Sequence, residues 1–137
     1  MAGIYFEGAE YTSPRPLNQV DALIRGAAAV ECQFGRVVRW GEGGFELADP
    51  VDGRASGLCV SILGPAGKRI EVLTAGAAEA KDWTDATGEL RLEPGAAYFL
   101  QPEGRLGRIP PSAGFIVRVG RAASPTVLAV TFDLKVA

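Results

Sequence analysis

From residue 30 onward the apolar residues recur at every second position, in runs that are short and separated by turn residues. Val30–Trp40 alternates loosely: Val30, Cys32 and Phe34, then Val38 and Trp40, are apolar, and Gly35 between them predicts a bulge. Gly41-Glu42-Gly43-Gly44 reads as a turn, Phe45–Leu47 as the return strand and Asp49-Pro50-Val51-Asp52-Gly53 as a second turn. Leu58–Leu63 is a continuous apolar run, which suits a central strand. Gly64-Pro65-Ala66-Gly67 turns the chain into Lys68–Thr74, with Ile70 and Val72 on one face. Ala75–Ala86 is small and polar and reads as a loop anchored by Trp83.

The last third is the most regular. Strands are expected at Glu89–Leu92, Ala97–Gln101, Leu106–Ile109, Phe115–Val119 and Thr126–Phe132. Between the first two, Pro94-Gly95 fits a type II turn, since Pro fixes φ and Gly supplies φ > 0. On one face of the second lie Tyr98 and Leu100, with Phe99 on the other. The residues expected in the core are Phe34, Val38, Leu58, Val60, Ile62 and Ile70, together with Val72, Phe99, Val117, Val119, Leu128 and Val130.

The N-terminal part is different. Residues 1–16 hold Tyr5, Phe6 and Tyr11, but Gly8, Pro14 and Pro16 break regular structure. They read either as an extended arm that docks on another surface or as an edge strand and loop of the same domain. Over residues 17–29, Val20, Leu23, Ile24 and Ala27 follow a helical period and Asn18 can cap it, which predicts one short helix; Gly26 opposes it. The alternative there is an extended segment pinned to a partner.

The expected fold is therefore all-β: a β-sandwich or β-barrel-like body over 30–137. An N-terminal arm or linker, 1–29, precedes it, with at most one short helix. A chain of 137 residues fits one domain, and 47% hydrophobic residues are enough for a core. The 18 glycines and 9 prolines leave little room for long helices.

A net charge of −2 without a Lys/Arg block argues against nucleic-acid binding. The first residues lack the positive segment and apolar run of a signal peptide, and no apolar run nears the ~20 residues that span a bilayer, so no membrane partner is expected. A reducing compartment favours buried thiols at Cys32 and Cys59 over a disulfide, although the two could pair.

Candidate chemistry is sparse. The sequence has no histidine, which removes Ser-His-Asp and Cys-His catalysis and imidazole metal sites. Two distant cysteines do not make a zinc signature, and no phosphate-binding Gly-Lys-Ser/Thr is present. Asp49 with Asp52, and Asp82 with Asp85, flank turns. Each pair can serve as cation ligands or as an acid and base, but Asp is common in turns because it bonds nearby backbone N–H groups. No catalytic residue, cofactor or metal is expected, and the protein reads as non-enzymatic. Arg36, Arg39, Arg118 and Arg121 lie in or beside apolar strands. They are either a solvated face or, with Tyr5, Phe6 and Tyr11, candidate interface residues.

Leu92-Glu93-Pro94-Gly95-Ala96-Ala97-Tyr98-Phe99-Leu100, then Gly104, Leu106, Pro110-Pro111, Val119-Gly120-Arg121-Ala122 and Ser124–Val130, resemble a C-terminal module of many tailed-phage structural proteins. In addition, Ala27–Arg39, with Glu31, Phe34-Gly35-Arg36 and Val37-Val38, followed by Gly57-Leu58-Cys59-Val60, resembles phage structural cement proteins. The resemblance does not extend to residues 1–26. It implies a capsid cement or decoration protein, made in the host cytoplasm and carried on the capsid exterior of the virion. It also implies binding to the major capsid protein, as a homotrimer. The alternative is a tail-fibre or other tail or collar module that binds a receptor. Trp40 and Trp83 would then be its candidates for presenting aromatic rings to sugars.

Overall fold

The computed structural model of the protein describes residues 22–61 and 63–136. Tyr5, Phe6, Tyr11 and Ile62 lie outside the described residues. In chain order the strands are β1 (Ala22–Ala27), β2 (Cys32–Gln33), β3 (Val37–Gly41), β4 (Gly44–Leu47), β5 (Gly57–Cys59), β6 (Leu63–Gly64) and β7 (Arg69–Glu79). A one-turn helix α1 (Thr84–Thr87) follows, then β8 (Ala97–Leu100), a 3₁₀ turn (Pro102–Gly104), β9 (Leu106–Gly107), β10 (Phe115–Ala122) and β11 (Val127–Val136). The body is all-β, as the short alternating runs predict.

The strands form one curled antiparallel sheet in the order β4-β3-β5-β7-β11-β10-β8-β9, with β1 also paired to β7; β2 and β6 pair separately. Strand β7 is long enough to serve both halves. Its first part pairs with β1 and β5, and its last residues, Gly76–Glu79, pair with β11. Around the first half the sheet curls until Ala28, just past β1, bridges Phe45 of β4, and Ala29 donates to the Phe45 carbonyl at 2.8 Å.

This curl produces two apolar clusters. The smaller contains Cys32, Val38, Phe45, Cys59, Ile70 and Val72. The larger packs Val37, Leu58, Val60 and Leu73 against Tyr98, Leu100, Val117, Val119, Leu128 and Val130. Alternation along β3 and β7 explains the division, since Val37 and Val38, or Val72 and Leu73, point to opposite faces. Trp83 is also in the larger cluster. Its indole N–H donates to the Thr126 carbonyl at 3.1 Å, so it does anchor its segment. The Tyr98 hydroxyl accepts the Glu93 N–H at 2.8 Å, which satisfies a buried polar group at the Pro94-Gly95 turn.

Several expectations need correction. The described part of 17–29 is not helical: Ala22–Ala27 is a strand along β7. Pairing with an available sheet edge overrides a weak helical period, and half-exposed Arg25 reaches the carboxylate of buried Glu71 at 2.7 Å. Among the described residues the one α-helix, α1, lies instead inside the expected loop, whose first residues extend β7. Gly35, at φ 89°, sits in a turn between β2 and β3 and not in a bulge. Glu89–Leu92 is not a strand; its backbone bonds instead to Trp83 and Pro125. Leu58–Leu63 divides, β5 staying between β3 and β7 while β6 crosses to β2. Phe34 and Phe99 are half-buried, because Phe34 lies on the rim against Trp83 and Phe99 faces away from Tyr98 and Leu100. The other described core positions are buried.

Candidate docking surface

The first residue of interest is Trp40, near the end of β3. It is a large apolar side chain left 53% exposed, whereas Trp83 is buried. Its ring meets Phe45, its cross-strand partner, edge-on at 4.8 Å between centroids. Beside it runs the turn from Asp49 to Ser56. The Ser56 hydroxyl accepts the Trp40 N–H at 2.9 Å, and Arg54 donates to the Trp40 carbonyl at 3.3 Å. Asp49 and Asp52 each accept a backbone N–H two residues on, from Val51 and Arg54, so both act in the turn as Asp commonly does. Gly53, at φ 66°, places its Cα against Phe115; a Cβ there would stand 2.6 Å from that side chain. The Phe115 N–H donates to the Pro50 carbonyl at 2.8 Å, which ties the turn to β10.

Opposite the turn, β11 is irregular. Arg118 pairs with Asp133 and Gly120 with Val130, so two residues of β11, Thr131 and Phe132, face one of β10. This bulge holds Phe132 at φ 52°, a left-handed conformation costing a non-glycine residue roughly 1–2 kcal/mol. Bulges re-aim side chains, and Phe132 borders a cleft of about 500 Å³. The cleft is lined by Ala55, Val117 and Phe132, by Arg39, Asp52, Arg54 and Ser56, and by Trp40, whose ring packs on Phe45 on the Val38 face of β3.

The polar groups are largely bonded to one another. Arg39 ion-pairs with Asp52 and with Glu46. The Asp52 carboxyl is held below the usual carboxylate range, first by the Arg54 backbone N–H and then by Arg39. An apolar floor of Ala55, Val117 and Phe132 inside a salt-bridged rim resembles the centre of a protein interface, where an apolar anchor is desolvated and surrounding polar contacts exclude water.

The structure does not bring the four candidate arginines together. Arg39 alone lines this cleft. Arg36 is a tie within the fold, bonding both Asp85 carboxylate oxygens at 2.9 and 3.2 Å and the Glu103 carbonyl at 2.9 Å. Arg118 pairs with Asp133 at 2.5 Å along the β10–β11 ladder, and exposed Arg121 donates to the Gly95 carbonyl at 2.6 Å. Asp82 accepts the Thr84 N–H at 2.8 Å, and its carboxyl is lowered by the Thr84 hydrogen bonds. Among the described residues no three His, Cys, Asp or Glu side chains are grouped to hold a metal ion, and no helix is long and apolar enough to cross a membrane.

A second cleft, of about 740 Å³, lies beside β8 and β9. Glu89, Glu103, Arg105 and Arg108 mix both signs there, and the Gln101 amide spans to the Ile109 carbonyl at 2.7 Å. Ile109 itself is 81% exposed, yet this cleft lacks an aromatic floor.

Arg54, Ala55 and Phe132 were not legible as site residues. Trp40 was, as an exposed-aromatic candidate, but nothing in Val-Thr-Phe-Asp signals a bulge. No protein-family model matches the chain, and no curated protein sequence matches it significantly.

Proposed function

We propose that the protein is a capsid cement or decoration protein of a tailed phage, which binds the outer surface of the shell and bridges major capsid protein subunits. The observation that carries this reading is the exposed Trp40 ring on an all-β body, beside a cleft with a salt-bridged rim. It is supported by the resemblance of residues 27–60 and 88–132 to phage structural proteins. Capsid subunits meet at seams, and packaged DNA pushes outward. A protein that spans several subunits adds interface at each seam, and its weak contacts sum when geometry lets them engage together. A homotrimer multiplies those contacts.

Binding to shells tests this reading. Purified protein should saturate DNA-filled or expanded particles at a copy number set by the lattice. Trp40→Ala should weaken binding while the body stays folded. Binding at only a handful of copies per particle would point to tail or collar. A receptor-binding tail module is the second reading, and it has one observation in its favour: Trp40, unlike Trp83, is exposed enough for a sugar ring to stack on it.

A further inference from the structure

We propose that Asp52-Gly53 is a site of spontaneous isoaspartate formation, which the Arg39 guanidinium holds in check. The chemistry belongs to the folded chain by itself and stands apart from the capsid reading.

The sequence supplies the reacting groups. Among the aspartates, Asp52 alone precedes a glycine. The Gly53 backbone nitrogen attacks Cγ of Asp52, losing its proton. The new C–N bond closes a five-membered succinimide, and a carboxyl oxygen leaves as water. A second water then opens the ring at either carbonyl. One opening restores aspartate. The other leaves isoaspartate, in which the main chain runs through the former side chain and is one methylene longer, with no net change in mass. Glycine favours the ring because it has no Cβ to crowd it. Asp49, earlier in the same turn, is followed by Pro50, which has no N–H to give up.

The turn brings these groups together. Oδ1 of Asp52 accepts the Arg54 N–H at 3.0 Å, which folds the carboxyl back over the intervening Gly53 amide. The Asp52 side chain is 36% exposed, so water reaches it.

The same turn withholds the reaction. A carboxyl loses its oxygen as water when it is protonated, and an ionised carboxylate is a poor electrophile. The Arg54 N–H and then Arg39, bound to Oδ2, keep this carboxyl ionised. Glu46 holds Arg39 from the other side at 3.3 Å. The Gly53 N–H is also engaged, donating to the Asp49 carbonyl at 3.3 Å.

The product does not fit where the reactant sits. Gly53 is seated so closely on Phe115 that even a Cβ would stand 2.6 Å from that side chain. An added backbone methylene unseats Gly53 and breaks the bond to Arg54. Isomerisation therefore dismantles one rim of the cleft, and Arg39 protects the rim as well as lining it.

The test incubates the folded full-length chain in warm neutral buffer. Isoaspartate at position 52 is counted by peptide mapping and by methyl labelling with an isoaspartate-specific carboxyl methyltransferase. A synthetic peptide spanning 50–54 is the unstructured reference. The folded chain should react more slowly than the peptide. Arg39→Gln should raise the rate about tenfold, the order of change in protonated fraction that one neighbouring charge makes. Asp52→Glu should abolish the signal, since its ring would have six members. Glu46→Gln separates charge from loosening of the turn, because it removes a tie to the rim but leaves Arg39 wholly to Asp52. It should react no faster than the unsubstituted chain. Equal acceleration in Arg39→Gln and Glu46→Gln, or none in Arg39→Gln, would overturn the role of Arg39. A folded chain as fast as the peptide would overturn the protection, and no isoaspartate at 52 in Arg39→Gln would overturn the site. Shell binding by these variants bears on the capsid reading and leaves the chemistry untouched.

Discussion

Gly26 of β1 packs against the indole of Trp40, so closely that a Cβ at position 26 would stand 2.8 Å from Trp40 Cζ3 and 2.9 Å from Phe45 Cε2. A glycine is required here by close approach and not by φ. Gly26→Ala should destabilise the body by about 1–3 kcal/mol, because it overpacks a site with ring atoms on one side and strand on the other. Urea unfolding would measure this, and a neutral result would mean that the rings yield freely.

The two tryptophans should behave oppositely. Trp83 is buried and hydrogen-bonded, so Trp83→Ala should cost about 3–5 kcal/mol of stability. Trp40→Ala should cost only about 1 kcal/mol, the worth of an edge-on contact such as the one with Phe45, and should act mainly on binding. Denaturation of both variants, with shell binding measured in parallel, separates the roles. Equal stability losses would contradict them.

Leu58 lies fully buried in β5, between β3 and β7. Leu58→Ala leaves a cavity in the larger cluster and should cost about 2–5 kcal/mol. A loss well under 1 kcal/mol would mean that the β5 register is wrong.

The cysteines give a pH dependence. Burial pushes the Cys32 thiol up from 9.0 to about 11, against the lowering influence of Arg36, and pushes Cys59 up to about 12. The fold favours the neutral thiols, so their contribution is fully present below pH 9 and is lost as pH rises towards 11 and 12. Melting temperature should fall over that range, and the fall should be shallower in Cys32→Ala and Cys59→Ala than in the unsubstituted chain. Both thiols should also resist labelling in the native protein at neutral pH. Fast labelling would place them at the surface.

The strands that could be read from the sequence are those in which alternation and turn chemistry agree. Pro94-Gly95 with Tyr98 and Leu100 is one case. Gly41–Gly44 between β3 and β4 is another. Where local and tertiary preferences conflict, the sequence misleads. Residues 22–27 carry a helical period but pair with β7, and Ala75–Glu79 looks like a loop but supplies the edge on which β11 pairs. Composition does not reveal that a strand serves two halves of a sheet.

The docking surface was less legible for a similar reason. Its parts come from β3, from the turn at 49–56 and from the β10–β11 pair, which only the curl of the sheet brings together. The arginines stood out by sequence position, yet Arg36 and Arg118 are engaged in ties within the fold. Phe132 owes its place to a one-residue bulge, which no residue type in β11 announces.

The central claim, that the protein stabilises an assembled shell, is tested most directly by the heat resistance of particles lacking it. Surface laid across seams stabilises only the assembled state, by mass action on what is bound. Depleted particles should assemble but release their DNA at lower temperature or lower salt than complete ones. Added protein should restore resistance stoichiometrically, saturating when the lattice sites are full. Depleted particles that resist heat normally yet fail to adsorb to cells would contradict the claim and support a receptor-binding role.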